Sequence, residues 1–303
     1  MASLSDSEFK TLIAQFVSKL GDEGFAVDSQ KPIDYGVSLL LSGGGMLNLY
    51  NGKKGPKVVT TGKLTQQVKD DIEAIAVDIL GESQTSSVSG IPKNLLSLNE
   101  PWIGCDEAGK GDYFGPLVVA AVAIEPGQVD ELLKAGVRDS KNMSNPRVLK
   151  LCGWIQSNLH HSVEVLMPEQ YNTRYSGNLN DLLSELHAST ISDLAKTHSI
   201  NHAISDRFGN PAKIKQHLKS AGVELDLTSI PRAEADVAVA AASIVARGLF
   251  LEGLKELGND ATINIPPGAG PPVIAAGREL VKLFGKSCLK TYAKLHFKTT
   301  EKF

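Results

Sequence analysis

The sequence predicts an α/β protein in which a small α+β unit precedes a larger mixed α/β domain. Three observations lead to this prediction: helix-like and strand-like runs before residue 82, a serine-rich segment without periodicity after it, and apolar strands that alternate with helices beyond residue 95. A chain of 303 residues is long enough for two such domains. With 42% hydrophobic and 21% charged residues, both can bury a core.

The N-terminal unit, residues 1–82, begins with a predicted helix. Ser5 and Glu8 form a capping-box pattern, and apolar residues then recur at helical spacing until Gly21. A second amphipathic run spans residues 63–81. Between the two helices lie three strand-like runs separated by glycine-rich turns: GVSLLLS, MLNLYNG and KVVTTG. This order predicts two helices over an antiparallel sheet.

Residues 83–94 are predicted to be a linker, because serine, glycine and proline replace any apolar period there. In residues 95–303 the runs PLVVAAVAI and SVEVLM are typical of buried strands. Helical segments lie between and after them: NPRVLKLCGWIQSNL, LNDLLSELHASTISDLAKTH and ADVAVAAASIVARGLFLEGLKEL. Strands that alternate with helices predict a mixed α/β domain, with INIPPGAGPP as a rigid loop near its end.

The composition excludes several classes of protein. A formal net charge of −3 and a pI of about 6.2 argue against a protein that holds nucleic acid by overall charge, which leaves only a local basic patch for that purpose. Three cysteines without paired spacing indicate neither a zinc site nor a disulfide framework. No HExxH, GxSxG or Walker-type pattern occurs in the sequence. We expect a monomer in the cytoplasm, without a signal peptide or a membrane span.

One stretch, IGCDEAGKGDYFGPLVVAAV, places Asp106 and Glu107 at the end of an apolar strand-like run. Consecutive strand residues point to opposite faces, so both carboxylates can meet one ion only if the strand ends or bends there, which Gly109 and Gly111 allow. Hard divalent cations such as Mg²⁺ prefer carboxylate oxygens. From these residues alone, a metal site and a tight turn with solvated charges are both open.

Three further acids are candidates for the same site. Asp206 follows a short strand-like stretch, where it can face a site or cap the next turn. Glu234 and Asp236 precede the helical segment AVAAASIVAR, where acids also simply complement the helix dipole. Residues 238–242 are small, so this helix can lie close to the sheet and bring the acids near Asp106. As helical residues Glu234 and Asp236 would point about 200° apart, and periodicity does not choose which one faces the site.

Basic residues supply candidate phosphate contacts. Lys141 lies beside Ser140 in VRDSKNMS, as part of a surface ion pair or turn in one interpretation and as a phosphate contact in the other. The glycine-rich backbone around Lys110 lets a phosphate or sugar come close, with the ammonium as counter-charge. The NGKKGPK hairpin, preceded by Tyr50, is a modest basic patch or only a solvated turn. Asp112 is expected to stabilise its turn.

Together, DEAGKGDYFGPLVVAAV, DSK, a mid-chain Asp and AVAAASIVAR resemble the type 2 ribonucleases H. GKG, the YN…YSGNLNDLLSELHA stretch, the PPGAG loop and the ending AKLHFKTT resemble the ribonuclease HIII branch of that family. The motifs occur in order over about residues 100–300. The resemblance implies a ribonuclease H-like mixed sheet flanked by helices. It also implies a small N-terminal domain, like a TATA-binding-protein repeat, that binds substrate.

The resemblance further implies an endonuclease that hydrolyses the RNA strand of RNA/DNA hybrids with Mg²⁺ or Mn²⁺. Two metal ions would activate water and stabilise the leaving oxygen, giving 5′-phosphate and 3′-hydroxyl ends. Carried over to this sequence, the first three metal-binding catalytic acids are Asp106, Glu107 and Asp206. The fourth is Asp236 or Glu234. Asp236 is favoured, because seven residues separate it from Ser243 and place both on one helical face.

The substrate contacts follow from the same resemblance. Gly109, Lys110 and Gly111 would form the turn that meets the RNA backbone and its 2′-hydroxyl. Ser140 and Lys141 would lie at a phosphate. Two alternatives are an enzyme like ribonuclease HII that incises DNA at single ribonucleotides, and a non-catalytic protein that binds hybrids.

Overall fold

The structure, a computed structural model, divides into two compact units: Met1–Ile91 with Lys141–Arg147, and Pro92–Ser140 with Val148–Phe303. The predicted linker at 83–94 lies outside the described residues except for Asn94. The structure describes residues 4–42, 44–52, 55–62, 64, 68–69, 72, 75–76, 79–80, 94–138, 140, 143–230 and 233–303.

The first unit begins with helix α1, Asp6–Asp22, and the predicted capping box is confirmed. Ser5 N donates to Glu8 Oε2 at 2.9 Å, which satisfies a donor at the start of the helix. Four strands follow and form an antiparallel sheet in chain order: β1 Val27–Ile33, β2 Gly36–Leu41, β3 Gly45–Gly52 and β4 Gly55–Gly62. Helical residues between 68 and 80 pack with α1 in one core, of which Phe16, Leu47 and Ile72 are fully buried.

Strand β1 is an element that the sequence pattern did not predict. It lies at the edge of the sheet, pairs only with β2 among the described strands, and is mostly exposed. An edge strand buries few side chains and tolerates Pro32, so its sequence VDSQKPI carries no apolar alternation.

The second unit contains a five-stranded mixed sheet in the order β7-β6-β5-β8-β9. Strands β5, β6 and β7 are antiparallel neighbours, whereas β8 and β9 continue the sheet in parallel from β5. The strands are β5 Trp102–Ala108, β6 Leu117–Ile124, β7 His160–Leu166, β8 His202–Asp206 and β9 Asp226–Ile230. The helices are α2 Val129–Ala135, α3 Asn145–Asn158 (from residue 148 onward in this unit), α4 Pro168–Arg174, α5 Leu179–His198, α6 Pro211–Ser220, α7 Val237–Ala261, α8 Pro271–Phe284 and α9 Leu289–Tyr292.

Helices α5 and α7 cover opposite faces of this sheet. On one face, Ile103 and Cys105 pack in a buried cluster with Leu186 of α5. On the other face, Gly104 meets α7 so closely that a Cβ there would lie 2.1 Å from the carbonyl carbon of Ala238. The close approach expected from the small residues of this helix is therefore present. The predicted fold class, a mixed sheet flanked by helices after an α+β unit, is confirmed.

Helix α7 is the centre of the second unit. By length and composition alone it is the one helix among the described residues that could cross a membrane. Its most apolar 18-residue window is 78% buried inside the protein, as in the core helix of a folded domain.

Candidate active site

Asp106 and Glu107 lie near the end of β5 and leave opposite faces of the sheet. Asp106 shares the face of Gly104, toward α7, whereas Glu107 shares the face that packs on α5. The strand neither ends nor bends between the two acids, because its pairing with β6 continues through Ala108. The bend comes only at Gly109, where φ is +86°. The backbone alone therefore does not bring the two carboxylates together.

The Glu107 carboxylate is held by two donors. His187 Nε2, on α5, donates to Oε2 at 3.0 Å, and Lys110 Nζ donates to Oε1 at 2.6 Å. Burial alone would raise the pKa of Glu107, but His187 and Lys110 lower it. Burial likewise would lower the pKa of His187, while Cys105 and Glu107 raise it. Glu107 is therefore an oriented carboxylate that stays ionised although its side chain is only 2% exposed.

Asp206 lies beside Asp106, because their strands are parallel neighbours. The register that pairs Cys105 with Ser205 brings the next residue of each strand to the same level and the same face. Neighbouring strands are about 4.8 Å apart, so the two carboxylates lie close together. The Oδ1 atom of Asp206 also accepts a hydrogen bond from Ala233 N at 3.3 Å.

Lys110 supplies the positive charge at this cluster of acids. Burial would lower the pKa of Lys110, but Glu107, Asp106 and Asp206 together raise it. The ammonium is thus within electrostatic reach of all three carboxylates and offsets their mutual repulsion. Its side chain remains 49% exposed, so this charge can move aside without opening the core.

Asp236, the acid that the sequence favoured as the fourth one, is hydrogen-bonded to the residue at the opposite end of β5 from Asp106. It is the N-cap of α7, and its Oδ1 accepts from Ala238 N at 2.9 Å and from Trp102 Nε1 at 3.0 Å. Oδ2 accepts from Leu95 N at 3.0 Å, and the residue is 0% exposed. Trp102 begins β5, four residues or about 13 Å of strand before Asp106. The carboxylate is committed to fixing the start of the helix.

The helical-face argument for Asp236 fails because this residue precedes the helix. Its backbone is extended, with φ −88° and ψ 138°, so the seven-residue spacing to Ser243 does not set its direction. Burial raises the pKa of Asp236, while Trp102 and the main-chain donors oppose the shift. Glu234 lies instead in the 3-10 turn Ala233–Ala235, whose first residue contacts Asp206.

The two glycines of the GKG turn have different surroundings. A Cβ on Gly109 would lie 2.2 Å from the carbonyl oxygen of Pro116, and its φ of +86° also favours glycine. A Cβ on Gly111 would meet nothing within 4 Å. Gly109 is therefore required by the fold, whereas Gly111 leaves an open surface beside Lys110.

Ser140 is tied to α7 instead of being free for a ligand. Its Oγ lies 2.7 Å from Ser243 Oγ, and the Arg247 guanidinium donates to its carbonyl oxygen. The predicted phosphate contact, Lys141, lies outside the described residues. Ser140 itself is thus fixed to α7.

Sequence reasoning did not single out His187 or Lys294. The one signal for His187 is a lone histidine on the apolar face of LNDLLSELHASTISDLAKTH, and such a residue is more often a core histidine. Lys294 lies in the ending AKLHFKTT that carries the family resemblance, but nothing in that run predicts a buried lysine. Asp112, in contrast, does stabilise its loop as expected, since its Oδ1 accepts from Gly268 N.

The acids fit a hard divalent cation by their chemistry. In the parts of the chain that the structure describes, no three His, Cys, Asp or Glu side chains are arranged to hold a metal ion as they stand. Two causes are visible: Glu107 is turned toward His187, and Lys110 lies among the acids. The donor set is nevertheless all carboxylate oxygen, the type that Mg²⁺ and Mn²⁺ prefer.

Comparison with known proteins agrees with this picture. The model of the family described as Ribonuclease HII matches residues 103–300. The ribonuclease HIII of Protochlamydia amoebophila is 36% identical over 244 residues, which are 80% of this chain and 81% of that protein. The ribonuclease HIII of Chlamydia pneumoniae is 41% identical over 204 residues, 66% of this chain and 68% of that protein. The crystal structure of Bst-RNase HIII in complex with Mn²⁺ has a TM-score of 0.63 and 26% identity, and the match covers 100% of this chain and 96% of that chain.

Proposed function

Because this chain belongs to the type 2 ribonucleases H, the family of ribonucleases HII and HIII, and is therefore a ribonuclease H, we propose that it hydrolyses the RNA strand of RNA/DNA hybrids at the acidic end of β5 and β8. The observation that carries this proposal is the pair Asp106 and Asp206, held side by side by the strand register. A binding protein gains nothing from carboxylates placed against phosphates, whereas a metal-dependent nuclease needs them.

We assign metal binding to Asp106, Glu107, Asp206 and Glu234. Divalent ions, Mg²⁺ or Mn²⁺, would supply an activated water and charge stabilisation at the leaving 3′-oxygen, giving 5′-phosphate and 3′-hydroxyl products. Glu234 replaces Asp236 in this assignment because its turn adjoins Asp206, while the Asp236 oxygens already accept three N–H bonds.

Two further groups support the acids. His187 holds the Glu107 carboxylate from α5 and so limits its rotation. Lys110 balances the acids and can turn outward to a phosphate, because its side chain is half-exposed. When the ammonium of Lys110 turns outward, a divalent metal ion would take its place as the positive charge at the carboxylate cluster.

The substrate strand would be recognised by the turn Gly109–Gly111. Open space beside Gly111 lets a sugar approach the main chain, and the 2′-hydroxyl distinguishes RNA from DNA at such a contact. Ser140 is bonded to α7, and Lys141, the next residue in the sequence, would contact a phosphate.

The first unit would add affinity for the hybrid. Its helices cover one face of the four-stranded sheet, and the opposite face carries alternate residues of each strand. By register, Lys31, Asn48, Tyr50 and Lys57 lie on that open face. Lysines around an aromatic side chain form a surface suited to a nucleic-acid backbone.

The test is cleavage of a labelled, uniform RNA/DNA hybrid with Mg²⁺ or Mn²⁺. We expect cuts in the RNA strand, and a loss of at least about 1000-fold in kcat for Asp106→Asn with hybrid binding retained. Asp193→Asn, an exposed acid on α5, is the matched control and should keep full activity. The proposal would be refuted if the RNA strand were not cleaved with either metal.

The second candidate function is incision at single ribonucleotides in DNA, favoured by the match to the ribonuclease HII model. A duplex with one embedded ribonucleotide discriminates between the two. More efficient incision there than on the uniform hybrid would assign the HII-like activity. On composition and the three free cysteines, we also propose a cytoplasmic monomer that needs no membrane.

A further inference from the structure

Lys294 is a buried lysine whose ammonium meets main-chain oxygens. The residue is 0% exposed. Its Nζ donates to the carbonyl oxygens of Asp112 at 2.9 Å, Gly115 at 2.7 Å and Phe114 at 3.4 Å. An ammonium removed from water is costly unless its donors are satisfied, and here one ammonium satisfies three acceptors of one short segment.

The segment that Lys294 holds continues directly from the GKG turn. Asp112 N donates to Gly109 O at 3.3 Å and closes that turn, while Asp112 O is the acceptor for Lys294. The main chain adds two bonds between the same segments: Lys294 N donates to Tyr113 O at 2.9 Å, and Gly115 N donates to Tyr292 O at 3.2 Å. Asp112 is thus the residue that links Lys294 to the GKG turn.

A second segment fixes the other side of the same loop. Gly268, in the PPGAG loop, donates from its N–H to Asp112 Oδ1 and accepts from Tyr113 N at 2.9 Å. The segment 112–115, which directly follows the GKG turn, is therefore held between Gly268 and Lys294. Because the ammonium is fully buried, it acts on a bound strand only through the main chain that it holds.

We propose that Lys294 is a positioning residue, which sets the Gly109–Gly111 turn against the RNA strand by gathering the carbonyl oxygens of residues 112, 114 and 115. This role rests on the proposed function of the turn. It predicts a change in hybrid binding rather than in the chemical step, since Lys294 contacts none of the assigned acids in the bonds described above.

The ammonium should also make binding sensitive to pH. Burial lowers the pKa of Lys294 to about 7, although Asp112 opposes the shift. The other titratable groups that face it are Tyr171, whose ring lies 5.9 Å away, and His296. Burial raises the pKa of Tyr171, and burial together with Lys294 lowers the pKa of His296. A neutral amine keeps two donors for three carbonyls, so the turn should loosen as pH rises through about 7.

A pH-dependent loss of global stability cannot account for weaker hybrid binding at high pH, because the effect of Lys294 on stability has the opposite sign. The folded protein holds this proton less tightly than the unfolded chain, whose lysine pKa is 10.5. From about pH 7 to 10.5 the contribution of Lys294 to stability therefore rises with pH. Weaker hybrid binding at pH 8.5 would then result from loosening of the GKG turn and not from loss of folded protein.

The experiment compares Lys294→Met with Lys286→Met in the full-length protein. Lys286 is the matched control, because its Nζ also donates to a main-chain carbonyl oxygen, that of Phe303 at 2.6 Å, but at an exposed site. Hybrid affinity is measured by fluorescence anisotropy in EDTA, and kcat and KM are measured with Mg²⁺. We expect Kd and KM to rise about tenfold in Lys294→Met, with kcat within about twofold, and no change in Lys286→Met.

The wild-type protein provides a second measurement that does not depend on a variant that folds. Its Kd for the hybrid should rise about threefold between pH 6 and 8.5. A folded Lys294→Met protein with unchanged Kd would overturn the proposal, as would a wild-type Kd that is constant over this pH range. Absence of hybrid cleavage by the wild type would instead count against the proposed function, and anisotropy would still decide the role of Lys294.

Discussion

The two ends of strand β5 use carboxylates in opposite ways. At the start of the strand, Asp236 is fully buried and its oxygens accept three N–H bonds from neutral donors. At the far end, Asp106 and Asp206 lie side by side, with the charge of Lys110 near them. Removing Asp236 would leave three buried donors unpaired, whereas the acids at the far end are held in a mutually repulsive arrangement that the fold does not require.

The bonding partners of a carboxylate therefore distinguish structural from functional acids around one strand. A carboxylate whose two oxygens already accept three main-chain and indole N–H bonds contributes to stability and has at most one lone-pair position left for a metal ion. A carboxylate balanced by a movable cation can exchange that cation for another one. The partner, more than the burial, therefore identifies the role, since Asp106 is itself only 9% exposed.

The largest effect expected from comparing the two ends of β5 distinguishes Glu234 from Asp236. We expect Glu234→Gln to lower kcat by about 100-fold with an unchanged melting temperature, because it removes a proposed ligand from a turn at the acidic end. Asp236→Asn should instead lower the free energy of unfolding by about 2 kcal/mol, because its amide N–H₂ meets the N–H donors that the carboxylate accepted. Steady-state kinetics and thermal unfolding of both variants measure the two effects. The reverse pattern would restore Asp236 as the fourth acid.

The sequence predicted the strands and the central helix that form this site, whereas it left the choice of the fourth acid open between Asp236 and Glu234. The apolar runs of β5, β6 and α7 are strong signals because both faces of the sheet are buried, and the motif order located Asp106, Glu107 and Asp206 at strand ends. The choice between Glu234 and Asp236 depended on where a helix begins. Periodicity locates such a boundary only within a few residues, while the fold decides it by burying Asp236 against Trp102.

Two other features could not be predicted from the sequence, each for its own reason. Strand β1 is an exposed edge, so no apolar period identifies it. The bonds from His187 to Glu107 and from Lys294 to Asp112 join residues that are 80 and 182 positions apart. Only tertiary packing determines contacts at that sequence separation, and no local pattern encodes them.

The next prediction applies the same comparison to the GKG turn. Gly109→Ala should destabilise the protein by roughly 2–3 kcal/mol, because the new Cβ would clash with Pro116 O at a φ of +86°. Gly111→Ala should change stability by less than about 1 kcal/mol, since the added methyl meets nothing, but it should weaken hybrid binding by about threefold to tenfold. Denaturant unfolding and anisotropy measure the two quantities. Equal stability losses would contradict the separation of roles.

The smallest predicted effect isolates the structural end of β5. In a double-mutant cycle of Trp102→Phe and Asp236→Ala, the bond from Trp102 Nε1 to Asp236 Oδ1 should appear as a coupling of about 1 kcal/mol in the free energy of unfolding. The kcat of the folded variants should stay within about twofold of wild type, because neither residue touches the proposed ligands in this arrangement. A large loss of kcat with little coupling would mean that the two ends of β5 act as one site, and the division of its carboxylates into structural and functional acids would fail.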